Sequence, residues 1–118
     1  MREIKIGEKT IRVRASALTL LYYKQAFGSD LVGDLVKMRD IESDPGKFDS
    51  VVIMQIAWAM AKADAGPGNK FPSFETWLSE LEGFDFSDPQ MILAIMDEAA
   101  DGFFRGGIQK GKQRTTGA

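Results

Sequence analysis

Eleven consecutive residues, Val51 to Ala61, include a single polar side chain, Gln55. Wound as a helix, Val51, Val52, Ile53, Met54, Ile56, Ala57, Trp58 and Met60 leave almost no wet face. A helix that is apolar all round has to be enclosed. The run is far short of the roughly 18 apolar residues a membrane span requires. It therefore reads as the buried central helix around which the rest of the chain is built. Asp49 or Ser50 caps its start. It runs to about Ala65, where Ala65-Gly66-Pro67-Gly68-Asn69 breaks it.

The segments on either side show one-sided patterns. Ile4 and Ile6 alternate with Glu3 and Lys5, and Ile11 and Val13 alternate with Arg12 and Arg14, which is the period of a strand with one apolar face. Gly7-Glu8-Lys9 supplies the turn between them. A lone hairpin is marginal in water, so its apolar face should rest on helices. Ser16 is the expected N-cap of the first helix through its hydroxyl. Leu20, Tyr23 and Phe27 share a face of that helix, with Leu21 and Tyr22 alongside, and Gly28 stops it. Asp30 caps a second helix with the stripe Leu31, Leu35 and Met38, broadened by Val32 and Val36.

After the central helix, Ser73-Phe74-Glu75-Thr76 opens a short helix with Trp77, Leu78 and Leu81 inward. No acid follows three residues after the serine, so a full capping box is not expected. Asp88-Pro89 starts the last helix, with proline at its first position. That helix is expected to bury Ile92, Ile95, Met96, Ala99 and Phe103, to wet Asp97, Glu98 and Asp101, and to end at Gly106-Gly107. The expected fold is mainly α: a compact bundle of about five helices with a small N-terminal β-hairpin. Residues 1–104 form a single helical domain, and residues 105–118 form a basic tail without apolar period that reads as disordered.

Composition narrows the chemistry. The 118 residues contain neither cysteine nor histidine. Disulfides, thiolate metal sites and cysteine nucleophiles are excluded, and so are the commonest general base and metal ligand. Met1-Arg2-Glu3-Ile4-Lys5 has no apolar stretch behind it of the kind secretion needs, so a cytoplasmic protein is expected. All 17 acidic residues precede Arg105, whereas Arg105, Lys110, Lys112 and Arg114 stand in a tail with no acid. The acidic body repels a phosphate backbone, which disfavours nucleic acid as a partner.

The acidic and glycine clusters fit no known site. Asp40, Glu42 and Asp44 alternate like the start of a calcium loop, but its sixth and twelfth positions are Pro45 and Val51 where glycine and a bidentate glutamate are needed. They read as a solvated linker. Glu75, Glu80, Glu82, Asp85 and Asp88 read as a charged solvent face. Gly66-Pro67-Gly68 and Gly102-Phe103-Phe104-Arg105-Gly106-Gly107 lack the lysine-serine ending of a phosphate loop and read as helix ends. No catalytic, cofactor-binding or metal-binding residue is expected, no cofactor or small-molecule substrate is implied, and the chain does not read as an enzyme. The large anchors are Tyr22-Tyr23, Phe27, Trp58, Met60, Trp77 and Phe103-Phe104. Adjacent aromatics on a helix point about 100° apart, so one member of each pair can reach a partner while the other fills the core.

The string Ile11-Arg12-Val13-Arg14-Ala15-Ser16-Ala17-Leu18, followed by Leu21-Tyr22-Tyr23-Lys24 and Phe27-Gly28-Ser29-Asp30-Leu31-Val32-Gly33-Asp34-Leu35, resembles the tail assembly chaperones of long-tailed bacteriophages and prophages of Gram-positive bacteria. The later apolar helix and the Trp-containing segment Phe74-Glu75-Thr76-Trp77-Leu78 are similar too, so the likeness spans residues 3–104 in order. It implies an assembly factor in the host cytoplasm that is absent from the mature virion. Its partner would be the tape measure protein, kept soluble until tail tube subunits polymerise around it, with the tail tube protein as a further partner and with self-association. Many members of that group also exist in a longer, frameshifted form, and Gly111-Lys112 stands where such a shift would fall. Two other readings stay open: a structural virion component of head–tail connector type, and a nucleic-acid-associated helical domain.

Overall fold

A computed structural model describes residues 1–38, 49–81, 87 and 89–104 of the chain. Among the described residues the fold is mainly helical, with a two-stranded antiparallel hairpin at the N-terminus and five helices after it. The hairpin pairs β1 (Arg2–Ile6) with β2 (Lys9–Val13) in a register that sets Ile4 opposite Ile11 and Glu3 opposite Arg12. Opposite residues share a face, so Ile4, Ile6, Ile11 and Val13 lie on one side of the sheet and Glu3, Lys5, Thr10 and Arg12 on the other. Ile4, Ile6 and Val13 are buried. The loop is two residues, one shorter than the expected turn, because Lys9 already pairs with Ile6. Gly7 holds φ 63°, the conformation that glycine supplies at the first central position of a tight hairpin turn.

The helices are α1 (Ala17–Phe27), α2 (Leu31–Lys37), α3 (Ser50–Ala65), α4 (Phe74–Glu80) and α5 (Pro89–Phe103). Local chemistry sets most of their ends. Gly28 turns left-handed at φ 69° and returns its N–H to the Lys24 carbonyl. Asp30 accepts from the Gly33 N–H, Asp49 from Val51 and Val52, and Ser73 from Thr76. At α1 Ser16 stands at the N-cap as expected, in a capping box with Thr19, whose hydroxyl accepts from the Ser16 backbone N–H at 3.1 Å. Thr19 is fully buried and its hydroxyl donates to the Arg14 carbonyl at 2.7 Å. One threonine thus fastens the strand exit to the helix start.

The central position of α3 is as the sequence predicts: it packs against α1, β2, α4 and α5. Every residue from Ile56 to Ala61 is buried. The first turn is not enclosed, and Val51 is an exposed residue at the edge of the bundle. Phe27, Trp58, Phe71 and Phe74 form an edge-to-face cluster with centroids 5.0 to 6.3 Å apart, joined by Tyr23 through Phe27. Such arrangements set the positive ring edge against the negative face. The Trp58 indole N–H donates to the Pro72 carbonyl at 3.0 Å, which ties the loop before α4 to α3.

Two expectations for α5 need correction. Its buried residues are Met91, Ile95, Glu98 and Ala99, while Ile92, Met96 and Phe103 are only half-buried against the core. Glu98 is not on a wet face. Its carboxylate accepts from the Ala15 N–H at 3.1 Å and from Arg2 Nε at 3.4 Å, and the N-terminal ammonium lies 3.6 Å away. Burial of a carboxylate is tolerated when charge and hydrogen bonds compensate it. The helix ends at Phe103, inside the glycine cluster that begins at Gly102, as expected. Asp40, Glu42, Asp44, Pro45-Gly46, Glu82, Asp85, Asp88, Gly106-Gly107 and the tail from residue 105 lie outside the described residues.

Candidate protein-docking surface

The large anchors divide clearly. Tyr23, Trp58, Met60 and Trp77 are core residues, each 5% exposed or less. Phe103 and Phe104 are half-buried, and both pack against that core. The Tyr22-Tyr23 pair splits as their angular separation requires. Tyr23 goes inward, and its hydroxyl donates to Asp34 Oδ2 at 2.8 Å, where the Ser29 hydroxyl also donates. Burial first, and then the bond to Asp34 and the charges of Asp34 and Asp49, push the Tyr23 pKa far up, so the phenol stays protonated. Tyr22 is half-buried, with the Lys62 ammonium 4.6 Å from its ring centroid, and the same ammonium is 5.1 Å from the Trp58 ring. This is a cation–π clamp between α1 and α3.

Helix α1 is the unusual element. Its sequence, ALTLLYYKQAF, is apolar on both sides. Leu20, Tyr23 and Phe27 face the core, as the periodicity predicts. Leu18 and Leu21 lie roughly 140–160° around the helix from Tyr23. Among the described residues neither packs against the buried core, and Leu21 is 48% exposed. With Tyr22 they form an i, i+3, i+4 stripe in which Leu21 is exposed and Leu18 and Tyr22 are half-buried. Lys24 and Lys62 border it, and neither forms an ion pair among the described residues. A helix that is apolar all round is normally enclosed. This one is enclosed on one side only.

Comparison with protein-family models, curated proteins and solved structures finds no match to this chain.

The other exposed apolar residues do not build a comparable surface. Leu93 stands on α5 with Ile92 and Met96 turned toward the core, and single exposed leucines are common. Glu75 and Glu80 are exposed, in keeping with a solvated acidic face. No helix among the described residues is long and apolar enough to cross a membrane. Periodicity does not predict the exposed position of Leu21. The signal was present as an absence of contrast: a short helix with leucine or tyrosine at five of its eleven positions cannot hide all of them behind one neighbour.

Proposed function

We propose that this chain is a tail assembly chaperone of a long-tailed bacteriophage or prophage, which holds the tape measure protein in solution while tail tube subunits polymerise around it. The observation that carries this reading is the stripe Leu18, Leu21 and Tyr22 on α1, with Leu21 exposed and the other two half-buried, bordered by Lys24 and Lys62. A tape measure protein before assembly presents long apolar helical faces, which aggregate when uncovered. An amphipathic helix laid along the stripe would cover such a face through side chains at i, i+3 and i+4. The two lysines favour a partner with acids beside its apolar residues. The hairpin-first order and the Phe27-Gly28-Ser29-Asp30-Leu31 joint between α1 and α2 accord with the family the sequence resembles. The protein acts non-covalently in the host cytoplasm, in several copies per tape measure chain, and is left out of the finished virion.

Co-expression with the tape measure protein of the same phage tests this. The soluble fraction of the tape measure should rise with the wild-type chain and fall back with Leu21→Asp. Equal insolubility with and without the chain would remove the reading. Stoichiometric amounts of the chain in purified virions would replace it with a structural component.

A further inference from the structure

A second surface lies on the opposite edge of the hairpin from β1. A cleft of about 280 Å³ opens there, lined by Thr10, Ile11, Arg12, Ala61, Asp64, Ala65, Phe71 and Trp77. Its floor is apolar and its rim is the outer edge of β2. The Arg14 N–H, one residue past β2, donates to the Met60 carbonyl at 3.0 Å, so it points away from β1 and toward α3. Backbone direction along a strand alternates with period two. The N–H and C=O groups of Thr10 and Arg12 therefore point the same way, into the cleft mouth. They make no hydrogen bond to the described residues. The edge is closed by α3 at Arg14 and open over the three residues before Val13.

We infer that this open edge takes an extended segment of a partner protein with the pattern acidic–apolar–acidic, added as a short third strand beside Thr10, Ile11 and Arg12. Strand addition satisfies free edge groups, and alternate side chains then set specificity. The middle side chain, opposite Ile11, enters the cleft over Ala61, Ala65 and Trp77. Its neighbours lie beside Arg12 and Arg14, which both reach the one Asp64 carboxylate at the cleft, at 3.0 and 3.3 Å. Two guanidinium groups share one acid, so one positive charge is left over there, and acids in the partner complement it. The same charge argues against two other occupants. Residues 105–118 carry four basic residues and no acid. A second copy pairing β2 with β2 would bring like charges together.

The test is titration of the full chain, labelled with ¹⁵N, with the blocked peptide acetyl-Thr-Glu-Leu-Glu-Thr-amide, and with the same residues reordered as Glu-Glu-Leu. Saturable shifts should centre on the Thr10 and Arg12 amides and the Trp77 indole. Reordering the peptide should weaken binding about tenfold or more, as should Arg12→Glu, which places like charges in contact. Ala65→Leu, which fills the cleft from its rim, should do the same while the amide spectrum elsewhere stays native. Equal binding of the two peptides, shifts centred on Leu18 and Leu21, or no saturable shift at millimolar peptide would each overturn the inference. None of these outcomes depends on the tape measure protein, so this surface and the α1 stripe stand or fall separately.

Discussion

Gly102 of α5 passes directly over Ala15, the middle residue of the joint between β2 and α1. A Cβ built on Gly102 would lie 2.7 Å from the Ala15 carbonyl oxygen and would also collide with the Ala15 Cβ. The obstacle is backbone, which cannot swing aside. Alanine is normally the better helix residue by about 1 kcal/mol. Here Gly102→Ala should lose more than that gain and destabilise the fold by about 1–3 kcal/mol, the usual cost of overpacking. Urea denaturation of the two proteins measures it, and a stabilised variant would show that α5 sits further from the joint.

Glu98 answers the Ala15 N–H beneath that contact. Glu98→Ala should cost about 1–3 kcal/mol, because it leaves a half-buried N–H without an acceptor. Glu98→Gln keeps an acceptor and loses the attraction to Arg2 and the terminal ammonium, so it should cost less. Thermal unfolding of both variants separates the hydrogen bond from the charge.

Tyr23 predicts a loss of stability at high pH. Its folded pKa lies far above the ordinary value, so the native state keeps the proton while the unfolded chain releases it from about pH 10 upward. The unfolded state then binds fewer protons, and stability falls with rising pH by up to about 1.4 kcal/mol per pH unit from this one group. Below pH 9 the effect is absent. Tyr23→Phe should cost about 1 kcal/mol near neutrality through the lost bond to Asp34. It should also flatten the decline between pH 10 and 11 relative to wild type. Parallel slopes in the two proteins would place the Tyr23 hydroxyl in water.

The two sides of α1 should respond in opposite ways. Leu21→Ser removes an exposed side chain and should change stability by no more than about 0.5 kcal/mol. Tyr23→Ala empties the core and should cost about 3–5 kcal/mol, as for other large aromatics. Circular dichroism during urea unfolding gives both values. A large loss from Leu21→Ser would mean that the stripe is already covered within the chain.

Most of the fold is readable in the residues because local chemistry and burial agree. The alternation around Ile4, Ile6, Ile11 and Val13 fixes the hairpin, and Asp30, Asp49, Ser73 and Gly28 stand at helix ends as their side chains or backbone freedom require. The all-apolar run from Ile56 to Ala61 fixes the centre. What escapes the sequence depends on partners far along the chain. Glu98 looks like any acid on a helix until residues 83 to 97 positions away, Ala15 and the N-terminus, come to meet it. The α1 stripe escapes for another reason. Period analysis needs contrast between faces, and Leu18, Leu20, Leu21, Tyr22 and Tyr23 offer none.

The three-residue joint between β2 and α1 has one further consequence. Arg14 gives its N–H to Met60 and receives the Thr19 hydroxyl on its carbonyl. Ala15 gives its N–H to Glu98, and Ser16 is bonded to Thr19 through both N–H and carbonyl. A hairpin exchanged between two copies would need this joint to straighten and serve as a hinge. Each of those bonds would have to open at once, and Gly102 would lose the surface it fits. Any two copies that come into contact would therefore meet as complete, closed units, each keeping its own hairpin.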